Sequence, residues 1–134
     1  MLDVEVIGAS VGTDDGPGPA EVQELCALAL GSAGLEDGHV AISFVAEEEM
    51  RALNREHRGR DAPTDVLSFP VDGAEAVAGP RELGDVVICP SYTRDLREAV
   101  LHGALHLAGM DHERDDGEML ALQAELLRWV SDPA

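Results

Sequence analysis

Lysine is absent from this chain. All nine basic residues among its 134 are arginine, they face 27 acidic residues, and the formal net charge is -18. A protein that coats nucleic acid through a broad electropositive surface needs the opposite balance, so that class is excluded. Adsorption to an anionic membrane face is excluded for the same reason. Aromatic residues are nearly as scarce: Phe44, Phe69, Tyr92 and Trp129 are the whole set. A base-stacking platform of the RRM or OB kind needs clustered rings and cannot be drawn from them. No run of about 18 apolar residues occurs, so the sequence offers no bilayer-spanning helix. The start, Met1-Leu2-Asp3-Val4-Glu5, lacks the basic region that opens a signal peptide. Cysteine is reduced to Cys26 and Cys89, too far apart for a metal-type pair. Cys26 falls on an apolar helical stripe with Val22, Leu25, Ala29 and Leu30. Both thiols are expected buried and reduced, as in a cytoplasmic protein.

What remains is 45% hydrophobic and sufficient for one core, so residues 1–134 are read as a single domain. Val4 and Val6 mark a first strand, and Thr13 to Gly18 a loop. Apolar residues recur at helical spacing from Pro19 to Ala33, and Gly34 is suited to stop that helix. His39 to Ala46 alternates, with Val40, Ile42, Phe44 and Ala46 on one face, as a half-buried strand does. Glu47 to Arg58 is a helix with acidic residues in its first turn, where the helix dipole favours them. Val66 to Phe69 is a strand closed by Pro70, Val71 to Glu82 a Gly/Ala/Pro-rich loop, and Leu83 to Cys89 a fourth strand. A helix from about Thr93 to Ala108 and another from about Asp116 to Val130 complete the chain. The expected class is α+β (mixed α/β): one small sheet of about four strands packed with helices, with a metal site on a buried helix.

The chemistry concentrates in Leu101-His102-Gly103-Ala104-Leu105-His106-Leu107-Ala108-Gly109-Met110-Asp111-His112. His102 and His106 are one helical turn apart and share a face. Gly109 can adopt a left-handed conformation and turn the chain, which returns His112 toward the same point. Three imidazoles can fill three corners of a tetrahedron and leave the fourth open, the pattern of catalytic rather than structural zinc. Histidine pairs at this spacing are usually coincidental on an arbitrary helix. Here, however, no charged residue occurs from Ala99 to Met110, so the helix is expected buried. Neutral imidazoles inside it would leave ring nitrogens unpaired, at about 1–3 kcal/mol each, and a metal removes that cost. The metzincin peptidases use the same spacing, with a glutamate base directly after the first histidine. Gly103 stands at that position, which argues against peptide hydrolysis.

The string His102-Gly103-x-Leu105-His106-Leu107-x-Gly109-x-Asp111-His112 resembles the signature of the YbeY family of endoribonucleases, the rRNA maturation factors. Two upstream blocks agree in order: Leu53 to Pro70, containing Asn54-Arg55-Glu56-His57-Arg58-Gly59-Arg60-Asp61 and Pro63-Thr64-Asp65-Val66-Leu67-Ser68-Phe69, and Leu83-Gly84-Asp85-Val86-Val87-Ile88. The resemblance implies a cytoplasmic endoribonuclease specific for single-stranded RNA rather than DNA. It also implies one Zn2+ per chain on His102, His106 and His112, work in ribosomal RNA maturation and quality control, and association with the small ribosomal subunit or a ribosome-associated protein. One departure is visible, since the segment between Cys89 and the metal helix is shorter than the family's.

Arg51, Arg55 and Arg58 share a face of the second helix, and Arg60 follows in the loop. Spacing alone suggests helix salt bridging, with Glu47 reaching Arg51 at i, i+4. The resemblance singles out Arg58 as the arginine beside the metal, where a guanidinium can grip a phosphate in bidentate fashion and offset charge in the transition state. Arg55 and Arg60 rank behind it. Asp111 is either an aid to catalysis, orienting an imidazole or serving the attacking water, or a plain turn residue. Asp65 and Asp85 are read as turn residues, and His39 and His57 as ordinary surface or interface histidines. A bound metal would either lower the pKa of its water toward 7 or hold a phosphate oxygen as a Lewis acid. Two competing readings are a zinc hydrolase on another substrate and a non-catalytic, metal-stabilised ribosome-assembly factor, the latter suited to the acidic surface.

Overall fold

The computed structural model describes residues 2–8, 18–71, 82–110 and 115–131. Four strands, β1 (Leu2–Ile7), β2 (Gly38–Phe44), β3 (Val66–Pro70) and β4 (Glu82–Ile88), form one sheet in the order β1-β2-β4-β3. β2 is parallel to both of its neighbours, β1 and β4, while β3 runs antiparallel to β4. Four helices accompany it: α1 (Pro19–Ser32), α2 (Glu47–Arg58), α3 (Leu96–Leu107) and α4 (Glu118–Ser131). This is the expected α+β class. The notional loops at 13–18 and 71–82 fall mostly outside the described residues.

The sheet alternation divides the apolar residues between two clusters. Val40, Ile42, Phe44, Val86 and Ile88 join α1, α3 and α4 in the main core. Val87 and Leu67 point the other way and pack with Val45, Met50 and Cys89 beneath α2. α2 contributes only Met50 and Asn54 as buried residues, so it lies on the sheet as a cover. Cys26 and Cys89 are buried free thiols, and burial pushes the Cys26 thiol up to about 12.

Helix ends follow local chemistry. Pro19 occupies the first turn of α1, and Gly34 beyond its end takes φ 92° while the Leu35 N–H bonds the Leu30 carbonyl. Ala46 is not a strand residue as its alternation suggested. It is the N-cap of α2, because Glu47, Glu48 and Glu49 in the first turn draw the chain into helix there. α3 begins at Leu96 rather than near Thr93, for two reasons. A short 3-10 turn (Pro90–Tyr92) intervenes, and Asp95 caps the helix by accepting from the Arg97 and Glu98 N–H groups.

α3 is the structural centre. It packs against α1, α4, β3 and β4, and eight of its twelve residues are buried. His102 and His106 are two of the four that retain some exposure. The uncharged stretch read from the sequence is therefore an enclosed helix with one open stripe, and that stripe carries the imidazoles.

Candidate active site

The two imidazoles of α3 sit edge to face, with ring centroids 4.7 Å apart at an interplanar angle of 74°. His102 Nδ1 lies 2.7 Å from Gln123 Oε1 on α4. An amide oxygen only accepts, so His102 carries its proton on Nδ1 and keeps the lone pair on Nε2. That is the tautomer a metal ligand needs, held by the kind of outer partner such ligands have. His102 therefore suits a divalent ion, and His106 stands beside it on the same face of α3. Gly109 takes φ 96° just past the end of α3, as the expected turn requires. His112 and Asp111 lie outside the described residues. Among the described residues, no group of three His, Cys, Asp or Glu side chains is gathered closely enough to hold a metal.

Gly103, between the histidines, is dictated by packing. A Cβ there would lie 2.4 Å from Val86 Cγ1 and 3.4 Å from Ser68 Oγ, so α3 rests directly on β3 and β4. The Ser68 hydroxyl donates to the Gly103 carbonyl at 3.2 Å. The position a metzincin gives to its glutamate base thus faces the sheet rather than the open stripe and admits no side chain.

The arginines separate sharply. Arg51 does not rely on Glu47. Its Nε and Nη2 donate to the two Asp61 oxygens at 2.8 and 3.1 Å, a fork that holds the Asp61 carboxyl below its ordinary range. A loop residue ten positions on offers both carboxylate oxygens in the guanidinium plane, which Glu47 on the same helix is not seen to do. Arg55 lies 3.8 Å from the same carboxylate. Arg58 has no ion pair among the described residues and lines the cleft described below. Two features fix its position. Gly59 in the left-handed conformation, φ 70°, ends α2 immediately after it, and buried Asn54 donates through Nδ2 to the Ala62 carbonyl at 2.7 Å, which folds the following loop back. Arg60 does not line that cleft.

A cleft of about 1220 Å³ runs across the molecule beside β3 and brings Arg58, His102 and His106 together. It also gathers residues that the sequence did not mark. Gln123 is paired to His102 from 21 residues away, a separation at which no spacing rule operates. His57 packs edge-on against Phe69 at 4.8 Å, so it belongs to the cleft rather than to an indifferent surface. Tyr92, Arg94 and Glu98 stand along the 3-10 turn and the start of α3. Asp65 lines the cleft as well, but it keeps its expected turn role, accepting from the Val66 N–H at 2.8 Å. Asp85 is exposed on β4. His39 is no isolated histidine: it bridges Glu82 at 2.7 Å and Glu5 at 3.3 Å across three strands, and the bond to Glu82 raises its pKa.

The family model of the endoribonuclease YbeY matches residues 19–131. The chain is 41% identical to an endoribonuclease YbeY of Rubrobacter xylanophilus, with 84% of each chain covered. It is 38% identical to that of Stutzerimonas stutzeri, covering 99% of this chain and 90% of the relative. That alignment spans 147 positions against 134 residues here, so the relative carries residues without a counterpart in this chain. Among solved structures, the solution structure of TM1509 from Thermotoga maritima superposes with a TM-score of 0.56 at 26% identity, covering 97% of this chain and 93% of that one.

Proposed function

Given that the chain belongs to the YbeY family of endoribonucleases and so is an RNA hydrolase, we propose that it is a zinc-dependent enzyme that cuts single-stranded RNA during ribosomal RNA maturation and quality control in the cytoplasm, as one domain associated with the small ribosomal subunit. The observation that carries this reading is the meeting of His102, His106 and Arg58 in one cleft. No helix among the described residues is long and apolar enough to cross a membrane.

His102, His106 and His112 would hold the ion. When bound, it supplies Lewis-acid chemistry at a phosphate oxygen or at an attacking water. The remaining work belongs to the chain. Gln123 keeps the proton on His102 Nδ1. Arg58 grips a non-bridging phosphate oxygen pair and offsets the negative charge that grows as the phosphorus becomes five-coordinate. Asp111 orients the neighbouring imidazole or accepts a proton from the attacking oxygen. If that oxygen is the ribose 2'-hydroxyl, the products end in 2',3'-cyclic phosphate; if it is water, they do not.

The net charge of -18 favours one rival, a metal-stabilised assembly factor that binds protein rather than RNA. Cleavage of a single-stranded ribosomal RNA fragment by zinc-loaded protein, beside a His106→Ala preparation purified identically, separates the two. Cleavage lost in the variant supports the enzyme. Equal cleavage by both preparations marks a contaminating nuclease and removes the support.

A further inference from the structure

We propose that the turn between β4 and α3 carries a second RNA contact: Tyr92 stacks one unpaired nucleobase and Arg94 binds a phosphate, so that a single strand lies along β3 between this turn and Arg58. The proposal rests on the reading of the cleft as a ribonuclease site.

Both residues line the cleft, yet both face solvent. Tyr92 is 51% exposed. An exposed ring on a cleft wall offers a π-face that any base can use, and its phenol remains wet. Arg94 has no ion pair among the described residues, whereas Arg97 three positions later is forked onto Glu21. The nearby carboxylates are partly engaged: Asp95 caps α3 and Asp65 holds the Val66 N–H, which leaves Glu98 as the opposing charge.

The turn is rigidly mounted. The Cys89 N–H donates to the Asp65 carbonyl at 2.9 Å, and the Thr93 hydroxyl donates to the Cys89 carbonyl at 2.7 Å. Tyr92 and Arg94 are thereby fixed to the Asp65 end of β3. Arg58 is tied to the other end, because its neighbour His57 packs against Phe69. Four strand steps from Asp65 to Phe69 amount to roughly 13 Å. That length is about four nucleotides at the stacked rise of 3.4 Å, and fewer in a splayed strand. The α3 histidines line the same cleft, so a strand held at both ends of β3 would run past them. The scarcity of aromatics excludes an extended stacking platform, and only Phe69 and Tyr92 line the cleft.

The test is steady-state cleavage and anisotropy binding of a fluorescent, unstructured oligoribonucleotide by the full chain and its Tyr92→Ala, Tyr92→Phe, Arg94→Ala and Arg94→Lys variants. Tyr92→Ala should raise KM and Kd between about five- and a hundredfold with kcat little changed, while Tyr92→Phe stays near wild type. Arg94→Ala should lower the magnitude of the log–log salt slope of binding by about 0.7, and Arg94→Lys should keep it. Wild-type KM and salt slope in both alanine variants would overturn the proposal and leave the nuclease reading standing. A wild-type protein that neither binds nor cuts the oligomer would overturn both. Because Arg94 is an exposed turn residue, its variant remains decisive if Tyr92→Ala loses stability.

Discussion

Gly103→Ala is a small change that the packing makes costly. Replacing glycine by alanine inside a helix normally gains about 1 kcal/mol, because the unfolded chain loses freedom. Here the new methyl would lie 2.4 Å from Val86 Cγ1, about 1 Å closer than an ordinary contact permits. Val86 is fully buried in β4 and its β-branched side chain has little rotameric escape. Overpacking of this kind costs about 1–3 kcal/mol, so the net effect is a loss of up to about 2 kcal/mol. For a chain of this size that is a fall in Tm of up to roughly 8 °C. Gly31→Ala in α1 is the matched control, since nothing lies within 4 Å of its new methyl, and it should raise Tm. Thermal unfolding of both variants by circular dichroism checks the pair. Val86→Ala added to Gly103→Ala should restore part of the loss, because the two side chains then share one space. Since α3 must retreat from the sheet to admit the methyl, cleavage should fall as well. A gain in Tm for Gly103→Ala equal to that of Gly31→Ala would refute the packing argument.

Arg58→Ala should keep metal content and Tm but lose about 2–4 kcal/mol of transition-state stabilisation, whereas Arg51→Ala, whose guanidinium is already forked onto Asp61, should cleave nearly as well as wild type in the same rate assay. His39 has a pKa raised above 6.5, chiefly by its bond to Glu82, so its contribution to stability is complete below pH 6.5 and disappears as pH rises through the higher folded value. The Tm gap between wild type and His39→Gln should accordingly be widest near about pH 5.5 and close by about pH 9, and a gap that widens with pH would contradict the bridge. Binding of single-stranded RNA should show a salt slope of roughly -1.5 to -2, because only two or three phosphates can be neutralised; a slope steeper than about -4 would reveal a basic surface the sequence does not contain.

The elements were legible where local chemistry decides them. Alternation marks β2, the apolar run Val86-Val87-Ile88 marks β4, the acidic first turn marks α2, and the uncharged run from Ala99 to Met110 marks α3 as enclosed. The juxtaposition of His102 and His106 was readable because helical spacing alone puts them together. Strand order was not readable, since β4 lies between β2 and β3 and its partners are fixed by long-range packing. The same applies to polar pairs made across loops. Arg51 takes Asp61 rather than the helical neighbour that spacing favours, and Gln123 reaches His102 from another helix. Tyr92 and Arg94 carry no motif. Their place in the cleft follows from the shortness of the turn that precedes α3, and only the folded chain reveals what that turn faces.

We propose that His102, His106 and His112 form one metal centre, and elemental analysis of the purified chain beside its three single His→Ala variants tests this. About one zinc equivalent is expected in the wild type, lost in each variant, His112→Ala included. A full equivalent of zinc retained in all three variants would contradict it.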